Sequence, residues 1–451
     1  MKKKLSIFIA VALIFTMCFT LFIGCGNETT NNQDATEDEV APPADDNGEA
    51  APQEDGDVIQ INVWTWEGWE GARGVNEAFE AANPGREVVF TNVQGDDMPM
   101  RLQTTLASGG DMPQIVWLII NQRGRLFDLG IWEDLSASPY YGNPDDHLPF
   151  MMPVHSYNGT WHTVEVSTPV AGIIFRRSLL NEFLGTDDPE EFASLINTWE
   201  DMYEFGLQVR DASGGEMFLF SALGELGEML YSQRPIQHVV DGRLNIEESL
   251  GPVLEQLIRF YSAGIIGPMN TWTPEWNASF NESVNIFNAG PTWYPSFVIE
   301  MNGIDTYGDW ALAEAPEGGF LMGGTGIGIP SAAENKEAAW EYLQWMYLSR
   351  DGAVANLENQ QYLTAYAPAW SEEGFFENIR DSFGGQDIGE KFTVIAQNMA
   401  PVRPVSIYDG DVMGAFGIAV MTIVERGGDV TVEELLNTMR EELVAMNPEL
   451  E

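Results

Sequence analysis

Cysteine is nearly missing from this sequence. Its 451 residues contain two, Cys18 and Cys25, both within the first 25 positions. A body without thiols has no disulfide framework, no thiolate metal site and no cysteine nucleophile. Cations are scarce as well: 21 Lys and Arg stand against 69 Asp and Glu, a formal net charge of −48. Phosphate backbones are gripped by clustered Lys and Arg, so this balance argues against a nucleic-acid partner and against docking through anionic lipid headgroups. The excess of negative charge keeps the chain soluble at the cost of self-repulsion, and it points to a salty habitat. The four histidines, His147, His155, His162 and His238, show no paired metal spacing, and neither a metal nor a cofactor is expected. Gly-x-Ser-x-Gly, a phosphate loop, His-Glu-x-x-His and Cys-x-x-Cys are all missing. The chain also lacks internal repeats of fixed period.

What is present begins with an address. Lys2, Lys3 and Lys4 precede an apolar run over 5–23, the layout of a secretory signal. An uncleaved membrane anchor is the competing reading, because the run is nearly long enough to span a bilayer. Leu21-Phe22-Ile23-Gly24-Cys25 resembles a bacterial lipobox, which implies cleavage after residue 24 and lipid modification of Cys25. The usual Leu three residues before the Cys is Phe22 here. Residues 25–57 are polar, carry acidic but no basic side chains, and bury nothing that would offset ordering entropy; a disordered acidic tether is expected.

From residue 58 the pattern becomes that of an α/β protein. Alternation predicts a strand over 58–64, and a helix over 72–82 is stopped by Asn83-Pro84-Gly85. A second strand is read at 86–92, a helix over 98–107 closed by Gly109-Gly110, and a continuous apolar strand at 114–120. Further on, Thr198 with Asp201 caps a helix, Ser331 and Glu334 open one through 348, and Thr431 with Glu434 forms a capping box for the last helix.

Several segments in order then resemble family 1 of the extracellular solute-binding proteins, the maltose-binding-protein-like group. They are INVWTWEG at 61–68, RLQTTLASGGDMPQIVWL at 101–118, YNGTWHTVEVSTPVAGIIFRRSLL at 157–180, NIFNAGPTW at 285–293 and GGTGIGIPSAAENKEAAWEYLQWM at 323–346. The resemblance implies two α/β lobes, three crossings of a hinge and a ligand cleft between the lobes. By position the crossings fall near 166–169, 312–316 and 360–364. One lobe is then 58–166 with 315–362, and the other 167–314 with 363–451. It also implies a monomer that captures a sugar or oligosaccharide and delivers it to the permease of an ABC importer, and the lipobox resemblance implies anchoring at the outer face of the membrane.

Sugars offer apolar ring faces and a rim of hydroxyls, so their sites combine flat aromatics with planar polar groups. Trp64, Trp66, Glu67 and Trp69 stand at the end of the first strand, where open α/β sheets hold ligands. Trp64 and Trp66 share a face if that strand continues, and core packing is the alternative for either. The family resemblance adds Asn121, Gln122 and Arg123 as polar ligands, with Asn121 where the family carries Asp. It adds Trp293 or Tyr294 as the stacking aromatic, with one extra residue leaving the choice open. Gly323, Gly324 and Thr325 are candidates for backbone approach to the ligand, and Asp409, Asp411, Met413 and Phe416 for the far wall. A glycosidase with two carboxylates across a cleft is the rival from another class. A polyamine, metal chelate or peptide ligand on the same fold is the other alternative, and Glu67 and Glu70 would serve a cationic one.

Overall fold

The computed structural model describes residues 58–66 and 70–450. The signal segment 1–24, Cys25, the tether 25–57, and Glu67 and Trp69 lie outside the described residues.

The first lobe is built on a five-stranded sheet. Strand β1 (Ile59–Thr65) leads through α1 (Glu70–Ala82) to β2 (Arg86–Asn92), then through α2 (Met98–Ser108) to β3 (Ile115–Ile119) and α3 (Ile120–Asp128). The three strands pair in parallel with β1 in the middle. Helix-linked crossovers force that arrangement and bury both faces of the sheet, which is why β3 reads Ile-Val-Trp-Leu-Ile. Gly109 ends α2 in the left-handed region at φ 65°, as the sequence pattern predicts. Strand β4 (Thr163–Glu165) joins the same sheet from further along the chain.

The second lobe follows. Strand β5 (Val170–Arg176), buried along its whole length, is its spine. Helix α4 (Trp199–Ser213) carries the expected Thr198–Asp201 capping box. Strand β6 (Phe220–Ala222) runs directly into α5 (Leu223–Ser232), and α6 (Gly251–Ser262) precedes β7 (Ile266–Met269), which pairs with β6. Strands β8 (Phe287–Pro291), β9 (Trp310–Ala313) and β10 (Phe320–Leu321) all lie antiparallel to β5. Strand β11 (Thr325–Gly328) returns to the first sheet between β3 and β4. Helices α7 (Lys336–Tyr347) and α8 (Arg350–Gln360) pack beside α1. Helix α9 (Ile388–Gln397) lies on β5, and α10 (Asp409–Glu425) and α11 (Val432–Met446) complete the second lobe.

Two expectations require correction. The second crossing is at 322–324 rather than 312–316, because β9 and β10 both still pair with β5. Helix α7 starts at Lys336 behind Asn335, which adopts φ 50° and makes no side-chain cap, so Ser331 and Glu334 stand outside it. The capping boxes at Thr198 and Thr431 are present as read. Replacing either Thr by Ala should lower stability by about 1 kcal/mol in thermal or denaturant unfolding.

The three crossings run side by side and bond to one another. Val166 N–H donates to the Thr325 carbonyl at 2.9 Å, Met322 N–H to Pro169 at 3.0 Å, and Thr168 N–H to Leu363 at 2.7 Å. Gly324 sits there at φ 125°, a conformation L side chains rarely adopt, and an added Cβ would also lie 3.1 Å from Pro169.

Candidate ligand cleft

Between the lobes lies a cavity of about 580 Å³, within the range usual for small-molecule sites. Its walls come from Ile119, Ile120 and Asn121 on the first lobe and from the start of α5, the turn after β7 and α10 on the second. Gly323 of the second crossing also lines it. A further depression of about 660 Å³ is lined by Gln103, Gln122 and Arg125 among others and shares Asn121, Met413 and Gly414 with the first.

The sequence-derived candidates divide by burial. Asn121 occupies the first turn of α3, where it meets the cavity, and Gln122 lines the outer depression. Trp66 follows β1, partly buried, and stands edge-on to Trp117 at 5.4 Å. Trp64 is a core residue at 5% exposure with the Arg101 guanidinium 4.4 Å above its ring. The two do not act as a pair, since the strand ends between them.

Arg123 is the clearest correction. It is fully buried, donating to the Leu118 and Val154 carbonyls and to Glu165, with no surface for a ligand. Glu165 also accepts the Thr325 N–H, and His155 Nε2 lies 3.1 Å from it. Burial lowers the Arg123 pKa and raises that of Glu165, while their mutual attraction opposes both shifts. One carboxylate thus ties α3 to the strand entering the first crossing and the strand leaving the second. Thr325 takes part through its backbone, beside Gly324.

Burial separates Trp293 from Tyr294. Tyr294 is 1% exposed and its hydroxyl donates to Glu225 Oε1 at 3.2 Å. Trp293 is partly buried, donates through Nε1 to the Met322 carbonyl at 3.3 Å, and lies against Gly323. Asp411 is engaged by Arg125 across the lobes at 2.5 Å and by Asn447 at 2.9 Å. Asp409 is buried against Arg403. Phe416 is buried edge-on to Tyr231 but contributes to the cavity wall, as does Met413.

Three residues went unseen in the sequence. Trp272 is 63% exposed, held at φ 65°, and stacks nearly parallel on Trp293, with centroids 6.1 Å apart and 19° between planes. It directly follows Asn270 and Thr271, which line the cavity. Tyr231 and Glu228 reach the cavity from α5. Glu225 is buried on the same helix, and burial pushes its carboxyl up to about 8 although the Ala289 N–H and the Tyr294 hydroxyl pull it down. Burial pushes Glu228 up to about 7, with the nearby Gly323 N–H pulling the other way. Raised carboxyl values favour the protonated folded state. Their contribution to stability is therefore complete below the ordinary value of 4.5 and lost as the pH rises through about 7 and 8.

Two α/β lobes joined by three crossings, with a cleft between them, is an architecture in which hinge closure is an established mode of ligand capture. The family profile described as bacterial extracellular solute-binding protein matches residues 75–372, more than half of the chain. The chain belongs to that family. No curated protein sequence matches it. Solved structures do. One titled an extracellular solute-binding protein family 1 member superposes with a TM-score of 0.77 at 18% identity, over 86% of this chain and 99% of that one. The galacto-N-biose/lacto-N-biose I-binding protein of the ABC transporter from Bifidobacterium longum, bound to lacto-N-biose, gives 0.69 at 17% identity, over 88% and 100%. The sugar-binding protein MalE from Xanthomonas citri gives 0.68 at 18%, over 86% and 98%. Among the described residues, no helix is long and apolar enough to cross a membrane.

Proposed function

We propose that this protein captures a sugar or oligosaccharide outside the cell and hands it to the permease subunits of an ABC importer, as a monomer held at the membrane by lipid on Cys25. The observation that carries the sugar is the Trp272–Trp293 stack, next in sequence to Asn270 and Thr271 and in contact with Gly323, which line the cavity together with Asn121. Flat aromatic surface next to planar amides is what a pyranose requires. The family is extracellular, and structural relatives bind lacto-N-biose and β-1,6-galactobiose, which supports the same class of ligand here. Ligand shifts an open–closed equilibrium by bonding both lobes at once, and the permease responds to the closed form. The protein does no chemistry of its own in this reading, and the catalytic machinery of a glycosidase has no part in it. The lipobox resemblance at 21–25 and the acidic segment behind it support anchoring through a tether.

The test is a thermal-shift screen against mono- and oligosaccharides, polyamines and peptides. A ligand that binds only the folded protein raises the melting temperature with its concentration and affinity. A shift confined to one sugar class is expected. Shifts confined to polyamines or peptides would retain the capture role and overturn the sugar. Anchoring is checked separately by globomycin-sensitive processing and by loss of membrane association in Cys25→Ser.

A further inference from the structure

Three consecutive residues of α3 turn to three different tasks. Arg123 enters the interior, Arg125 reaches the second lobe, and Gly124 stands between them, buried. Glycine weakens a helix relative to alanine, because it loses more backbone freedom on folding. Its φ here is not positive, so the helix itself has no need of it. The need comes from the other lobe. An added Cβ would collide with the Ser406 carbonyl and lie 2.9 Å from the Ile407 nitrogen. Both groups are backbone, which cannot swing aside as the end of a side chain would.

Ser406 and Ile407 lie on the second lobe, in the segment that leads into α10. Gly410, on the first turn of α10, repeats the arrangement from the other side: a Cβ there would lie 3.3 Å from the Asn121 carbonyl. Next to this contact Val405 N–H donates across the lobes to the Pro153 carbonyl at 3.4 Å. Asn121 and Met413 put the same two helices on opposite walls of the cavity. Helices that face each other across the ligand space therefore also meet directly, with a glycine at each point of approach. The charged pair beside them is weaker but well placed. The Asn447 amide holds Asp411 from its own lobe at 2.9 Å, where Arg125 reaches it. Arg125 is half-exposed, so water screens the pair and it adds a modest preference. Shape decides, and charge assists.

We infer that Gly124 is a positioning residue for lobe closure: its missing side chain lets α3 land on the Ser406–Ile407 backbone, and the Arg125–Asp411 pair fastens it there. No ligand atom takes part, so the contact stabilises the closed arrangement with or without ligand. Ligand then meets a protein whose closed form is already populated, and the fraction closed scales the affinity it achieves. The inference rests on capture by lobe closure, and it does not require the ligand to be a sugar.

The test uses the full chain, purified in detergent. Its folded body has no cysteine, so one placed on each lobe, at exposed Thr104 and exposed Glu433, carries a spin label for distance measurement. Without ligand, the otherwise unaltered chain should show a short and a long inter-lobe distance, and a long distance alone would overturn the inference. Gly124→Ala should remove the short distance and weaken binding of a sugar found by the screen at least about 10-fold. Its melting temperature without ligand should hold or rise, because alanine is the better helix former. A lowered melting temperature with both distances kept would reduce Gly124 to local packing and overturn its role, as would unchanged distances and affinity. Arg125→Met, at a half-exposed position, should cut the share of the short distance about 2- to 5-fold, the worth of such a pair. An unchanged share would overturn the part given to the pair. A chain that binds no sugar defeats the sugar reading, while the distances, which need no ligand, still decide the closure.

Discussion

Glu165→Gln should destabilise the protein by about 3 kcal/mol or more, the usual cost of removing one partner from a buried ion pair. The reason is the fate of Arg123. Its guanidinium is fully buried, and beyond Glu165 it has two backbone carbonyls for partners, so the charge is stranded when the carboxylate goes. The same change replaces an anion that accepts the Thr325 N–H beside Gly324, and the hinge should loosen as well as the fold. Differential scanning calorimetry should show a lowered transition, and small-angle scattering a ligand-free state with wider lobe spacing. The double replacement Arg123→Met with Glu165→Leu is expected to recover much of the stability, because no charge is then left unpaired. A double variant as unstable as the single one would mean that packing around the pair, rather than its charge, holds the region together.

Trp293→Ala should cost about 2 to 4 kcal/mol of binding, roughly 30- to 1,000-fold in affinity, the range of a central aromatic anchor. Trp293 is in contact with Gly323 and stacked on Trp272, so on the proposed reading its loss removes both a ligand face and the support of a second ring. Tyr294→Phe is the matched control. It deletes a buried hydroxyl bonded to Glu225 and should lower stability by about 1 kcal/mol with little change in affinity. Isothermal titration of both variants with the same sugar checks the contrast, and equal effects would show that the aromatic wall is not read residue by residue.

That contrast also marks what the sequence could and could not supply. The elements of the first lobe were legible because their period is local: alternation in β1, Gly109 after α2, and the unbroken apolar β3. Capping boxes at Thr198 and Thr431 were equally local. Site residues depend instead on which way each side chain turns once an element is placed. Asn121, Gln122 and Arg123 are consecutive on one helix, and about 100° per residue sends the first two toward the cleft and outer groove and the third into the interior. Trp293 and Tyr294 diverge for the same reason. Trp272 came from a loop with no periodicity, and only its stacking on Trp293 marks it. Glu228 had a weak signal. Leu223, Leu226, Met229 and Leu230 define the buried stripe of α5, and the placement of two carboxylates beside that stripe was available but indistinguishable from the many solvated Glu of so acidic a chain. The second crossing was misplaced because nothing in 312–321 reveals that two further short strands still belong to β5.

The lateral bonds among the three crossings constrain how this molecule can move. Segments at 166–169, 322–325 and 363 are stitched edge to edge, so none can bend without dragging the others. Such a strip behaves like the spine of a book: it resists twist and sideways slip and yields in one direction. Sugars of different size that bridge the two covers would all drive the same swing. A membrane partner then needs to sense only how far the book is shut, and can remain indifferent to what is pressed between the pages.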